Sequence, residues 1–437
     1  METLLYVLGI LIMLVGLGLS IGLHEIGHLV PAKLFGVRVG QYMIGFGPRL
    51  WSRRFGETEY GFKALPLGGF ISMSGMYPPS KETGAAKGVF RTLVQDARSA
   101  NDETIADGDE ARSFYRLPVW KRVIVMLGGP VMNLLLGILI FTILASGIGL
   151  SQGTTTIASV SECVLPAGST QTECTADDPA APAAEAGILP GDVLVSIDGV
   201  PIETFADASA IIRDSPDETL SVVVDRDGEQ QTLQLTPVAA ERQVVDAAGA
   251  PQFDDAGEPI TQEVGYAGFG AQVAFVQQPI GTGTEMAFQQ AGAVASMIVT
   301  LPVRLWDVGV ALFTDAERDP NGPLSVVGVG RLAGEVAATD APVLNRMVVL
   351  LNLLGALNIA LFVFNMIPLL PLDGGHIVVA LWDGVRRAWA RLRGKPAPAP
   401  VDATRLVPLT VVVAVVLIAM GALLLIADLF DPVSLFG

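Results

Sequence analysis

The stretch Leu19–Phe35 reads LSIGLHEIGHLVPAKLF. It carries H-E-x-x-H at the end of an apolar run that contains no charged residue from Thr3 to Leu23. Residues four apart on a helix share a face, so His24 and His28 can grip one ion. Glu25 stands beside them to take a proton from water. Ionisable groups at membrane depth are costly and are kept where they act. The chain has three histidines, and two of them are here. The competing reading makes the pair interfacial residues that cap a helix end; a glutamate between them weighs against it.

The rest of the chain supports a lipid environment. Of 437 residues 51% are hydrophobic, and mean hydropathy is +0.52, too apolar for an ordinary soluble protein. The formal net charge is −17, with much of the acid in the middle. That combination fits a membrane protein with an acidic, water-exposed domain and excludes a basic nucleic-acid surface.

Four uncharged stretches are long enough to span the hydrocarbon, at Thr3–Leu23, Val123–Leu150, Met347–Leu372 and Leu406–Ala427. The first lacks an Ala-x-Ala cleavage site and runs into the histidine motif, so it reads as a retained helix. Lys33–Arg122 holds 14 Lys and Arg, Gly374–Arg405 holds six in a short loop, and Ser151–Asn345 holds only six in its whole length. The positive-inside rule places the first two segments in the cytoplasm and the third outside, with both termini outside. Cys163 and Cys174 then face an oxidising space where they can pair.

This pattern divides the chain into 1–36 (first span), 37–121 (cytoplasmic β-hairpin region and loop), 122–150 (second span), 151–280 (outer domain) and 281–343 (connecting segment). It continues with 344–376 (third span), 377–405 (cytoplasmic basic loop) and 406–437 (fourth span). Val37–Met76 is rich in Gly, aromatic and β-branched residues, with halves separated by SRRFGE, and reads as β-hairpins. Tyr60–Met73 is apolar enough to dip into the interface, and Pro78–Ala111 turns polar, as a mobile loop would. In the outer segment the order strand, short helix, hairpin is expected over Ala181–Pro237, turning at Asp227-Gly228, with further strands in Gln243–Pro279. Glu285–Leu312 has helical spacing, either along the membrane surface or as a packed interior helix.

Two histidines need a third protein ligand and one open position. FNMIPLLPLDGGHI, Phe364–Ile377, supplies Asp373 and His376 at the end of the third span, on the side that carries His24 and His28. Position alone barely separates the two. Gly374-Gly375 permit a sharp turn that aims Asp373 inward, while Pro368 and Pro371 break the helix, as an unwound, water-lined segment requires. Two His and a carboxylate favour zinc over other divalent ions.

HEIGH at the end of a first span and NMIPLLPLDGG late in the third resemble the site-2 protease family of intramembrane zinc metalloproteases, in its bacterial regulator-of-sigma-E-protease branch. GGPVMN (Gly128–Asn133) resembles that family's motif in the second span. Tyr60–Met73 resembles its membrane-associated β-hairpin, GPLSVVGVGRL (Gly322–Leu332) its segment before the third span, and EAGILPGDVLVSIDG the start of a PDZ domain. The resemblance implies an α-helical polytopic membrane protein of four transmembrane helices, with a cytoplasmic membrane-associated β-hairpin region and an inserted extracytoplasmic α+β PDZ domain. It also implies that His24, His28 and Asp373 bind Zn2+, that Glu25 is the general base, and that Asn365 steadies the substrate or the developing oxyanion, which a side-chain amide can do. Asn365 as a helix–helix hydrogen bond is the alternative. In one departure from the family pattern, Leu370 precedes Pro371, so the second proline falls one place late.

The implied activity is cleavage of single-span membrane proteins, such as anti-sigma factors or remnant signal peptides, after a first outer cut, in a bacterial inner membrane. A catalytically silent PDZ-bearing scaffold is the alternative, and an intact Glu25 argues against it. A metal transporter would repeat ionisable residues along several spans, and the second and fourth have none.

Overall fold

The computed structural model describes residues 2–78, 89–105, 110–164, 174–175, 178–244, 260–314, 318–319 and 322–433. The chain divides into two compact units, one made of Met1–Gly147 with Pro279–Gly437 and the other of Ile148–Gln278.

The first unit opens with helix α1, Glu2–Leu34, which carries the histidine motif in its last three turns. Strands β1 (Val39–Phe55) and β2 (Thr58–Met73) follow and pair with each other twice: Arg49–Phe55 lies antiparallel to Thr58–Lys63, and Val39–Ile44 lies antiparallel to Gly69–Met73 and beside Glu59–Phe62. Within SRRFGE, Ser52–Phe55 folds back on Thr58–Gly61, and the chain reverses at Gly56, whose positive φ suits glycine. The hairpin is buried at its base through Val39 and Met43 and exposes Leu50, Trp51 and Phe55 toward its tip.

Part of the stretch expected to be a mobile loop is helix α2, Val89–Glu103; residues 79–88 and 106–109 lie outside the described residues. Its polar composition hid it, because its anchoring is by side-chain hydrogen bonds. Arg98 donates to Asp402 at 2.7 Å, and the Asn101 carboxamide bonds the backbone of Tyr77 at both ends. Helix α3, Val119–Thr142, with a further helical turn to Ile148, forms the second apolar segment.

The second unit is built on a sheet. Its elements are β3 (Leu150–Val160), α4 (Pro182–Glu185), β4 (Val193–Ile197), β5 (Val200–Pro201), α5 (Phe205–Arg213), β6 (Leu220–Arg226), β7 (Glu229–Leu235), β8 (Val238–Gln243), β9 (Thr261–Tyr266) and β10 (Phe269–Val276). The main sheet runs β10-β3-β4-β6-β7, and β8 pairs separately with β9. The expected strand, helix and hairpin are present. Asp227 and Gly228 both have positive φ, the condition for the tight turn joining β6 to β7. Thr204 and Asp207 close a reciprocal capping box on α5. Ile157, Ile188, Leu194, Ile197, Val222 and Leu235 form the core. At its margin buried Asp192 accepts two bonds from Arg226, at 2.7 and 2.8 Å, and one from the Leu189 N–H. The Arg226 guanidinium beside Asp192 holds its carboxyl below the usual carboxylate range. Cys163 and Cys174 form a disulfide.

The first unit resumes with α6 (Gly281–Phe313), α7 (Val326–Ala338), α8 (Val343–Asn365), α9 (Asp373–Leu392) and α10 (Val407–Phe430). Among the described residues five helical segments, not four, are long and apolar enough to cross a membrane; the fifth is α6. These helices and the β regions are those of a multi-pass membrane protein. Small residues let the helices approach closely. A Cβ at Gly27 or Gly128 would overlap the other's carbonyl where α1 crosses α3, and one at Gly137 would press on Ile359 of α8. Asn358 of α8 donates to Ser20 of α1 at 2.9 Å inside the bundle.

Two expectations about the third span need correction. Helix α8 stops at Asn365, seven residues short of Leu372, because Pro368 and Pro371 cannot continue it. Asp373 therefore does not end that helix but opens α9, and most of the expected basic loop is this amphipathic helix.

Candidate metal centre

The site forms where the last turns of α1, the middle of α3 and the first turn of α9 meet. Helix α1 presents His24 and His28 one turn apart, with Glu25 and His28 buried. Asp373 reaches them because α9 docks tightly on the turn before it. A Cβ at Gly374 would overlap the Ile367 carbonyl and fall 2.5 Å from that of Met366, and one at Gly375 would lie 2.5 Å from the Leu370 nitrogen. Neither glycine has a positive φ, so close approach and not backbone freedom explains the pair.

Three ligand-type atoms converge. His24 Nε2 and His28 Nε2 are 3.2 Å apart, and each is 3.3 Å from Asp373 Oδ2. Ligand atoms about 2.0–2.1 Å from a tetrahedral zinc stand about 3.3–3.4 Å from one another, so the triangle matches one face of such a site. Asp373 Oδ2 is buried without a hydrogen-bond partner. A bare carboxylate oxygen aimed with two imidazole nitrogens at one point is repulsive unless a cation or proton lies among them. The space is also kept clear. A Cβ at Gly129 of α3 would overlap His28 Nε2 and lie 2.7 Å from His24 Nε2. The donor set, its spacing and this cradle fit a zinc ion.

The far side of each ring is held. His28 Nδ1 lies 2.7 Å from the Val125 carbonyl and donates to it, which leaves Nε2 unprotonated for a metal. His24 Nδ1 lies 3.2 Å from the Asn133 carboxamide, whose Oδ1 is buried with no partner. The two ends of a carboxamide are exchanged by a half-turn. With Oδ1 toward the ring, Asn133 accepts the Nδ1–H of His24 and again leaves Nε2 free.

Among the described residues His24, His28 and Asp373 are the group of three that can share an ion. His376 is outside it: its ring stacks on Tyr77, centroids 6.2 Å apart. Asn365 sits at the end of α8 and donates back to the Leu361 carbonyl at 3.0 Å, so it makes no contact with the triangle here. Glu25 lies against β2, where a Cβ at Gly69 would come within 2.9 Å of its Cγ. Tyr42 of β1 donates to the Gly22 carbonyl at 2.8 Å, fastening the hairpin to α1. Nothing in GGPVMN by itself gives Gly129 or Asn133 a task; their spacing, one helical turn apart, is the available signal.

The profile of peptidase family M50 matches residues 12–407. Zinc metalloprotease Rip1 of Mycobacterium tuberculosis is 33% identical over 443 aligned residues, covering 99% of this chain and 100% of the relative. The protein of that name in Mycolicibacterium smegmatis is also 33% identical, over 98% of this chain and 99% of its own length. A putative zinc metalloprotease of Brucella suis is 28% identical over 83% of this chain and 82% of its own.

Proposed function

The chain belongs to peptidase family M50, the site-2 proteases, and from that premise we propose that it is a zinc endopeptidase cleaving single-span proteins within the membrane. The observation that carries this reading is the triangle of His24, His28 and Asp373 around an unpartnered carboxylate oxygen. His24, His28 and Asp373 are the ligands. Zinc, when bound, supplies Lewis acidity. Glu25 takes the proton of the attacking water and returns it to the leaving amide nitrogen. Asn365, released from the Leu361 carbonyl, donates to the developing negative charge on the scissile carbonyl.

A transmembrane helix shields its own peptide bonds, so it must first be drawn out as a strand. Strand β2 passes Glu25 at Gly69, and an edge there can accept an extended segment by backbone pairing. Substrates are single-span proteins whose outer part has already been shed, among them anti-sigma factors and remnant signal peptides.

Four spans, α1, α3, α8 and α10, fit the bundle. Successive contacts make α3 antiparallel to α1 and α8 antiparallel to α3, and the charge rule puts the ends of α1 and α8 and the starts of α3 and α10 in the cytoplasm. Helix α6 touches α3 at Thr142 through Gly283 and packs Val308 on Leu424 and Ala427 of α10. Both contacts lie at the outer ends of spans, so α6 runs across them along the membrane surface. The second unit is an inserted PDZ domain on that outer side, where its disulfide is stable. It acts as a size filter or receives the carboxyl end left by the first cut. The membrane is the inner membrane of a bacterium.

Metal content and cleavage of a single-span test substrate, measured on purified wild type, Glu25→Gln and Asp373→Ala, test the reading. Zinc kept in Glu25→Gln and weakened in Asp373→Ala, with cleavage lost in both, supports it. No zinc and no substrate cleavage by any of the three would return the chain to the scaffold class.

A further inference from the structure

Helix α9 has two faces with different fates. One is locked to the bundle. Asp383 is fully buried and accepts from Arg122 at 2.5 Å, from Arg387 at 3.0 Å and from the Val401 N–H at 3.3 Å. Ile377 and Ala380 are buried on the same side, and Gly384 lies against Val119 at the start of α3. The opposite face is open and apolar: Val378, Leu381, Trp382, Val385, Trp389 and Leu392 are between 46% and 82% exposed. At 100° per residue these six positions fall within one stripe about 100° wide.

The charges sort around that stripe. Arg386 and Arg393 border it, Arg391 follows at the end of the helix, and Lys395 lies just beyond. Arg393 stacks over Trp389 at 4.4 Å. Among the described residues Arg386, Arg391 and Lys395 have no acidic partner. A helix carrying two aspartates and three arginines does not span a bilayer, although 20 residues would be long enough. A Trp-bearing apolar face with a basic border is the pattern of a helix lying in the interface over anionic headgroups.

The neighbours mark the same level. Trp120, at the start of α3 beside Val119, is 57% exposed, stacks edge-on to Phe35 at 5.5 Å, and has Lys121 over its ring. Tryptophan and lysine at the ends of spanning helices mark the headgroup zone. Since α9 is clamped to α3 at Val119 and Arg122, its open face meets that zone.

We propose that α9 is an interfacial helix whose apolar stripe is seated in the bilayer and whose Arg386, Arg391, Arg393 and Lys395 bind anionic lipid headgroups. Asp373 is the first residue of this helix, so the lipid seat holds a carboxylate of the metal triangle from the far end of a rigid rod. The proposal needs the multi-pass membrane reading but not proteolysis, and its test can fail while the protease reading stands.

The test uses the full chain in nanodiscs of phosphatidylcholine, with and without phosphatidylglycerol. Each basic residue near an anionic surface contributes roughly a fivefold gain in partitioning. Hydrogen exchange across α9 is expected to slow at least about tenfold when phosphatidylglycerol is added to wild type, and to stay unchanged in the quadruple variant Arg386→Gln, Arg391→Gln, Arg393→Gln, Lys395→Gln. Equal exchange of wild type in both lipids would overturn the proposal. The same protection from soluble glycerophosphate in phosphatidylcholine discs would assign the site to a free phosphate and overturn the lipid seat. A spin label on Val385→Cys, in the otherwise native chain, is expected to be open to oxygen and closed to a water-soluble nickel chelate. Access by the nickel chelate, or line broadening by a second labelled copy, would overturn it independently of how the quadruple variant folds.

Discussion

Asp192 and Asp373 are two screened carboxylates that the molecule treats in opposite ways. Asp192, in the second unit, accepts from a guanidinium and a backbone N–H, so its charge is answered by fixed donors. Asp373 Oδ2, in the first unit, has no donor and faces two imidazole nitrogens at 3.3 Å. A satisfied carboxylate is part of the fold, while one left bare beside two histidines is a place for a cation. The rest of each neighbourhood agrees. Arg226 also donates to the Gly187 carbonyl and knits strand to loop. Gly129, by contrast, keeps atoms out of the space beside the histidines.

That contrast can be broken at either end. The largest effect is expected from Glu25→Gln, which should lower cleavage about a thousandfold with zinc content unchanged, as for loss of a general base. Metal analysis beside a cleavage assay checks it, and retained activity would remove Glu25 from the mechanism. Asp373→Ala should weaken zinc affinity by more than about a hundredfold, because loss of a ligand exceeds loss of an orienting partner. If His376→Ala alone did so, the ligand would be His376. Asn133→Ala should weaken zinc by about ten- to a hundredfold, measured by competition with a chelator. An unchanged affinity would make Asn133 a packing residue only.

At the other end, Arg226→Met should destabilise the second unit, because it leaves the Asp192 carboxylate without its guanidinium, and leave zinc binding intact. Hydrogen exchange of β4 and β6 in the full chain reads this. The pH dependence is the smallest effect. The folded pKa of Asp192 lies below its unfolded value, so the pair stabilises fully above about pH 4 and its contribution fades as pH falls through the folded pKa. The second unit of Arg226→Met should therefore lose less stability on acidification than wild type.

Local rules read much of this molecule correctly. The histidine pair follows from helix period, and the β6–β7 turn from two residues that tolerate positive φ. Helices α2 and α9 were read as loops for one shared reason. Their polar residues look like solvent-facing chain until their partners are known, and those partners are distant: Asp402 for Arg98, and Arg122 for Asp383. Helix α6 is apolar enough to span, and hydropathy alone does not encode its contacts at Thr142, Leu424 and Ala427.

The sequence by itself determined which segments prefer lipid, because transfer energies add residue by residue along the chain. It also determined that His24 and His28 share a face. Only the tertiary structure brought Asp373, and not His376, beside the two histidines. Both lie on the first turn of α9, three residues apart, and nothing in that turn ranks them. The choice is made by the packing of Gly374 and Gly375 on Met366–Leu370 and by the clamp of Asp383 on Arg122, which aim one side chain at the histidines and leave the other against Tyr77. A cluster of ligand-type groups brought together from α1 and α9 is a property of docking, and docking depends on contacts between residues hundreds of positions apart.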